Sequence, residues 1–278
     1  MKQINKYIQE RLHINKDTGN HSYNYHPKTK DELKELVNKL VKERGNDADL
    51  NDIDTSEITD MSELFYDSNF NGDISNWNVS NVEYMIDMFG ESKFNGDISN
   101  WDVSNVKDMN GMFCDSKFTG KNGNISQWDV SNVEDMRYMF MGAKFNGDLS
   151  HWDVRNAEDM NGMFEDSKFT GKNGDISIWD VSNVKYMNNM FANSKFNGDI
   201  SKWNVSNVEE MENMFRLSKF NGDISKWDVS NVEKMYSMFR HSEFNGDISN
   251  WNVSNVKDMN SMFISSPLEK NPPKWYKE

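Results

Sequence analysis

FNGDISNWNVSNVEYMIDMF, residues Phe70 to Phe89, returns as FNGDISNWDVSNVKDMNGMF, residues Phe94 to Phe113. The nine tryptophans lie at 77, 101, 128, 152, 179, 203, 227, 251 and 275, in steps of 24 residues apart from two of 27. Both longer steps have one cause: FNGDIS becomes FTGKNGNIS at Phe118 and FTGKNGDIS at Phe169. All 17 phenylalanines keep the same register: eight close a Met-Phe pair, Phe65 closes a Leu-Phe pair, and eight precede an Asn-Gly or Thr-Gly turn. A fixed period of this length marks a stack of units, each burying its apolar face against its neighbours.

Within a unit the periodicity changes. Trp77-x-Val79 alternates as a half-buried strand does, whereas Val82, Met85, Met88, Phe89 and Ser92 follow the three-and-four spacing of one helical face. Ser80 stands at an N-cap position with Glu83 three residues on, as in a capping box. The expected coil is a turn at Asn-Gly, a short strand at the Trp, and a capped helical or 3-10 segment through Met-Phe. The fold class is thus an α/β repeat solenoid with short parallel strands and short helical segments. About nine units at roughly 4.8 Å each give a rod or shallow arc on the order of 45 Å long.

Three segments follow. Residues 1–49 form an N-terminal extension with a capping helix, residues 50–266 the repeats, and residues 267–278 a C-terminal cap. In TKDELKELVNKLVKERG, Leu33, Leu36, Val37, Leu40 and Val41 share a face, Thr29 and Glu32 make a capping box, and Gly45 stops the helix. Ile53 stands where a Trp would be. At the other end Leu268 and Trp275 keep the spacing, while Pro272 and Pro273 end the ladder and blunt its edge.

Composition narrows the function. The formal charge of −14 is uneven: residues 1–45 hold ten Lys/Arg against six Asp/Glu, and residues 46–263 eighteen against thirty-seven. Acidic repeats argue against nucleic acid, which needs a positive face, and favour basic partners. No stretch reaches the length of a transmembrane helix, and MKQINKYIQERLHINKD lacks the apolar core of a signal peptide. The single cysteine, Cys114, excludes an intramolecular disulfide.

The unit Ile74-x-x-Trp77-x-Val79-Ser-Asn-Val82-x-x-Met85-x-x-Met-Phe89-x-x-Ser92-x-Phe94 resembles the BspA-like leucine-rich repeats of bacterial surface proteins, in their WDVSNV…M…MF variant. The likeness covers roughly residues 50–266. It implies a right-handed, leucine-rich-repeat-like solenoid used for adhesion or protein binding, on a bacterial cell surface or secreted. The cytoplasm is the alternative location, because no signal peptide is visible.

A catalytic site should interrupt a ladder that offers the same residue in every copy, and no interruption of that kind is found. His13, His21 and His26 precede the repeats, and His151 and His241 occupy different columns with no nucleophile or ligand cluster beside them, so the expectation is no enzyme, no catalytic residues and no cofactor. Two carboxylate columns, one through Asp102, Asp129, Asp153, Asp180 and Asp228 and one through Asp73, Asp97, Asp148, Asp175, Asp199, Asp223 and Asp247, raise the question of calcium. Asn replaces Asp at 78, 204, 252 and 124, which favours acceptors for backbone N–H groups over a metal. Lys93, Lys117, Lys144, Lys168, Lys195 and Lys219 form a column read as a solvated face balancing the acids, with an anion-binding stripe as the alternative. The Met-Met-Phe columns are core. The NVS triplets at Asn78, Asn204 and Asn252 are the Asn form of the DVS column rather than glycosylation sites.

Functional information should then reside where copies differ. The residue before each Trp runs Asn76, Asn100, Gln127, His151, Ile178, Lys202, Lys226 and Asn250, and alternation turns it away from the core. On the expected helical face Tyr84, Tyr138, Tyr186 and Tyr236 vary, with Arg137, Arg216 and Arg240. Tyr and Arg are enriched at binding hot spots. The candidate partner-binding residues are therefore Gln127, His151, Ile178, Lys202, Lys226, Tyr84, Tyr138, Tyr186 and Tyr236, facing a protein partner whose identity the residues do not name. The expected function is a non-enzymatic binding or adhesion solenoid, with an intracellular acidic decoy or regulator of a basic protein, or a purely structural spacer, as the alternatives.

Overall fold

The computed structural model describes residues 23–277; the opening segment, with His13 and His21, lies outside the described residues. Helix α1 spans Lys30–Arg44 and is followed by a stack of nine coils and a 3-10 turn at Pro267–Glu269. Thr29 Oγ1 accepts the Glu32 N–H at 3.2 Å, and Glu32 accepts the Lys28 N–H at 2.7 Å. Those bonds satisfy first-turn donors that no helical carbonyl can reach. Gly45, at φ 94°, ends α1. Leu33, Val37 and Leu40 are buried on the first coil, whereas Leu36 and Val41 are only half-buried. Arg44 grips Asp52 with two bonds of 2.9 Å and fixes where the chain enters the stack.

The coils pair in parallel through single bridges. One row runs Asp60, Tyr84, Asp108, Asp135, Asp159, Tyr186, Glu210, Lys234, Asp258. No longer strand forms among the described residues, and the segment before each Trp is a turn, closed by Trp77 N–H on Ile74 O at 3.1 Å. The expected helical segment is likewise replaced by turns. Met88 N–H bonds Met85 O, Gly90 N–H bonds Asp87 O, and Ser92 N–H bonds Phe89 O, at 3.0 to 3.3 Å. The intervening donors of Met85, Asp87, Phe89 and Glu91 point to the next coil, onto Asp108, Asn110, Met112 and Cys114 carbonyls at 2.7 to 3.0 Å.

A helix would turn those donors back on its own chain, so the inter-coil ladder excludes it. Two residues per coil, four apart, take left-handed φ to make the turns: Asp87 and Glu91, Tyr138 and Gly142, Asn213 and Leu217, and so through all nine coils. Nor does Ser80 cap a helix, because its N–H and hydroxyl both bond Asn78 Oδ1, at 3.1 and 2.7 Å.

The core is a set of continuous columns. Phe65 and the Met-Phe phenylalanines from Phe89 to Phe263 stack ring on ring with centroids 5.5 to 5.9 Å apart. A second Phe column lies beside it, as in Phe89–Phe94 at 4.3 Å. These offset stacks add about 0.5–1.5 kcal/mol per pair beyond burial. Every Trp Nε1–H donates to the Ile-column carbonyl of the preceding coil, from Trp77 on Leu50 to Trp275 on Ile248, at 2.8 to 3.2 Å. The three-residue insertions bulge outward without disturbing this register. Gly120 takes φ 73° there, and a Cβ on it would stand 2.7 Å from the Phe145 ring.

Candidate binding surface

Each coil is the same inside, so the surfaces are rows running along the stack. The residues before the tryptophans form one such row. Gln127, His151, Ile178, Lys202 and Lys226 are all exposed on consecutive coils, and Ile178 is 72% exposed. They stand on turns rather than on the strand expected from alternation. The geometry still sends them outward, because the flanking Ile-column residue and Trp point in and anchor the turn at both ends. His151 is held by Ser150 Oγ at 3.1 Å and Gln127 by Ser126 Oγ at 3.3 Å.

Carboxylates flank this row on both sides, and each has a backbone task. Asp73 Oδ1 accepts the Ser75 N–H at 2.9 Å, Asp102 Oδ1 the Ser104 N–H at 3.2 Å, and Asn78, Asn124, Asn204 and Asn252 do the same where they replace Asp. Such bonds stabilise the ionised carboxylate. The Ser201, Ser225 and Ser249 N–H groups hold Asp199, Asp223 and Asp247 below the usual carboxylate range. Among the described residues no cluster of three or more His, Cys, Asp or Glu has a metal-binding arrangement.

The tyrosines are not brought together. Tyr84 and Tyr186 belong to the bridge row, Tyr138 to a left-handed position and Tyr236 to the row before it. Tyr84 and Tyr138 are exposed, Tyr186 and Tyr236 half-buried. The Tyr138 ring lies against Gly162, where a Cβ would come within 2.5 Å of it. Between the tyrosines, burial pushes the Asp108 and Asp159 carboxyls up, and each also accepts a backbone N–H two residues on.

The structure adds a feature absent from the sequence reading. A shallow groove of about 460 Å³ runs over four coils, lined by Asn132, Glu134, Asn156, Glu158, Asn183, Lys185, Asn207 and Glu209. Each Asn donates its side-chain Nδ2 to a carbonyl of the preceding coil, Asn132 to Ser104, Asn156 to Ser131, Asn183 to Arg155 and Asn207 to Ser182, at 2.6 to 2.7 Å. Lys185 pairs with Glu158 at 2.7 Å, while Glu134 and Glu209 form no ion pair among the described residues. The available signal was the Asn four residues after each Trp from 77 to 251, a polar column too regular for a surface without a task.

Cys114 is half-buried beside Asp115, and burial first, then Asp115 and Asp87, push its thiol up to about 12. The thiol is therefore protonated and unreactive at neutral pH. No described helix is long and apolar enough to cross a membrane.

No curated protein and no solved structure matches the chain. A family described as Mycoplasma protein of unknown function, DUF285, matches residues 32–121, 115–194 and 167–275. Those three overlapping matches take in most of α1, every coil and the C-terminal Trp, so the chain is a repeat protein belonging to the DUF285 family.

Proposed function

We propose that the chain is a non-enzymatic binding module, a leucine-rich-repeat-like solenoid of the BspA-like kind that presents a protein partner with a long surface built from coils. The observation that carries this reading is the division between rows. The Trp, Met and Phe rows repeat one residue type and are buried in nearly every coil, while the row before Trp changes from coil to coil and stays exposed. Within that row Ile178, 72% exposed, is the one apolar residue, standing between His151 and Lys202. Adhesion from a bacterial surface fits such a module. Protease added to intact source cells would digest the chain if it is displayed and spare it if it is internal.

The partner site is tested by capture with purified wild-type chain and with an Ile178→Asp, His151→Asp variant. A protein held by the wild type and lost from the variant, and then shown to bind directly as a purified component, supports the row before Trp. Equal retention by both removes that row from the interface. The groove favours a second reading, an acidic regulator that engages a basic protein through Glu134 and Glu209. In that case affinity would fall steeply between about 50 and 200 mM salt and would drop in a Glu134→Gln, Glu209→Gln variant.

A further inference from the structure

One row of this acidic stack, along a corner, is lysine in coil after coil. Lys93, Lys117, Lys144, Lys168, Lys195 and Lys219 occupy the same position in six consecutive coils, and all are exposed. Each precedes a buried Phe of the second column, whose stacked rings lie 6.0 to 6.5 Å apart. The backbone holds the row at that pitch: Lys93 N–H donates to Ser68 O at 2.9 Å, and Lys117 N–H to Ser92 O at 3.0 Å. The two insertions add Lys121 and Lys172 to the same corner, both exposed. Eight of the eighteen Lys and Arg between residues 46 and 263 are therefore collected here.

Most of these lysines close on no acid, although exposed carboxylates such as Glu91 and Asp97 lie on either side of the row. Elsewhere Lys107, Lys185, Lys234 and Lys257 each close on a Glu of the preceding coil at 2.6 to 2.7 Å. On the corner only Lys219 has an ion pair among the described residues, with Glu243, where the row ends. Like charges stacked coil on coil oppose folding. The fold can relieve this with a Glu, as it does at 243, yet the five preceding lysines are left bare.

A second row lies beside the first. Lys93 and Asn95 flank the inward Phe94 and so project on the same side. Along this row Asn71 Oδ1 accepts the Asn95 N–H at 2.7 Å, Asn95 Oδ1 the Thr119 N–H at 2.8 Å, and Asn197 Oδ1 the Asn221 N–H at 2.9 Å. Each of these oxygens already accepts a backbone N–H, and the N–H₂ group of the same amide is a further donor. The second row is Asn95, Asn146, Asn197 and Asn221, with Thr119 and Thr170 at the insertions, so an amide accompanies the ammonium group in four of the six coils.

We infer that this stripe binds a linear polyanion laid along the stack, a polymer carrying sulfate or phosphate esters on a sugar or polyol backbone. Such esters accept hydrogen bonds and bear charge at regular intervals, which suits six stacked ammonium groups with amides beside four of them, and a flexible chain can settle to their pitch. Nucleic acid fits less well. Single strands need aromatic platforms for their bases, and the exposed Tyr66, Tyr84 and Tyr138 stand on other rows.

The test is titration with a heparin-derived dodecasaccharide and with poly(glycerol phosphate), followed by calorimetry at several salt concentrations. Two triple variants of equal charge change are compared: Lys117→Gln, Lys144→Gln, Lys168→Gln on the corner, and Lys107→Gln, Lys185→Gln, Lys257→Gln away from it. Wild type should bind at least one polymer, and the stronger of the two identifies sulfate or phosphate as the preferred ester. The corner triple should bind at least tenfold more weakly, with the slope of log K against log salt reduced by about 2. The control triple should stay within twofold. Thermal melting checks folding, and the corner triple should melt no lower than wild type because it removes repulsion. Binding of neither polymer, equal losses in both triples, or tighter binding of oligothymidylate than of either polymer would overturn the inference.

Discussion

Each indole Nε1–H fastens one coil to the coil before it, and Trp152 does so on Ile125 O at 2.9 Å with the side chain 3% exposed. Trp152→Phe keeps an aromatic ring in the column but leaves that buried carbonyl without its donor. The expected loss is about 1–3 kcal/mol in urea unfolding, against more for Trp152→Ala, which also opens a cavity. Gly162 makes a second test at this scale. Its φ of 62° and the Tyr138 ring 2.5 Å from a Cβ position predict that Gly162→Ala costs about 1–2 kcal/mol. Tyr138→Ala in the same chain should recover part of it, and a double-mutant cycle measures how much. Cys114, with its thiol pushed up to about 12, should react with iodoacetamide at pH 8 far more slowly than an exposed cysteine, and equally fast only after unfolding. The inward residues were legible in the sequence because each repeats in register. The left-handed positions were not, since Glu, Asp, Tyr, Asn, Leu, Ser and His all occupy them alongside Gly.

At the scale of elements, the attachment of α1 and the bridge row at Asp108 and Asp159 answer acid in opposite directions. Asp52 is held below its ordinary value by the Arg44 hydrogen bonds, so its contribution is full above the unfolded value near 3.8 and is lost as pH falls through the lower folded value. Asp108 and Asp159 are raised by burial, so their ionised forms weaken the bridge row. That penalty is full above the raised folded value and disappears as pH falls to the unfolded one. Lowering pH from 7 through 4 and below should therefore first firm the coils around Asp108 and Asp159 and then loosen the attachment of α1. Hydrogen exchange corrected for intrinsic rates would show the order, and loss of α1 protection before any gain in those coils would contradict it. Of these two elements only α1 could be read from its residues, because a capping box, one apolar face and a terminal Gly all act within one chain segment. The repeat turns could not. The spacing of Met85, Met88, Phe89 and Ser92 suits a helix and suits two successive four-residue turns equally. What decides between them is the ladder from Met85, Asp87, Phe89 and Glu91 to the following coil, and one copy read alone does not contain it.

For the whole molecule, stability is a sum over coils and the interfaces between them, so the ends matter more than in a globular domain. Removing residues 78–101 deletes 24 residues and rejoins Trp77 to Asp102 in register, so the shortened chain should fold with one interface fewer; a deletion of half that length should not fold. The two ends are closed unequally. Leu33, Val37 and Leu40 of α1 cover the first coil, and Lys30 reaches Asp60 at 3.3 Å. At the last coil Trp275 stacks on Trp251 at 6.3 Å and Tyr276 meets the Phe263 ring edge-on at 4.9 Å, which covers only one side. Val253, Val256 and Met259 stay half-buried, although the equivalent residues from Val79 to Met235 are 0 to 1% exposed. The Met259, Ser261 and Phe263 N–H groups, whose counterparts in earlier coils bond the next coil, have no partner among the described residues. Unfolding should therefore begin at the C-terminal coil and travel toward α1. In native-state hydrogen exchange the ladder amides of residues 235–241 should exchange faster than those of 136–142, with a gradient between them. A flat profile would mean that the coils open as one unit, and a reversed one that α1 is the weaker cap.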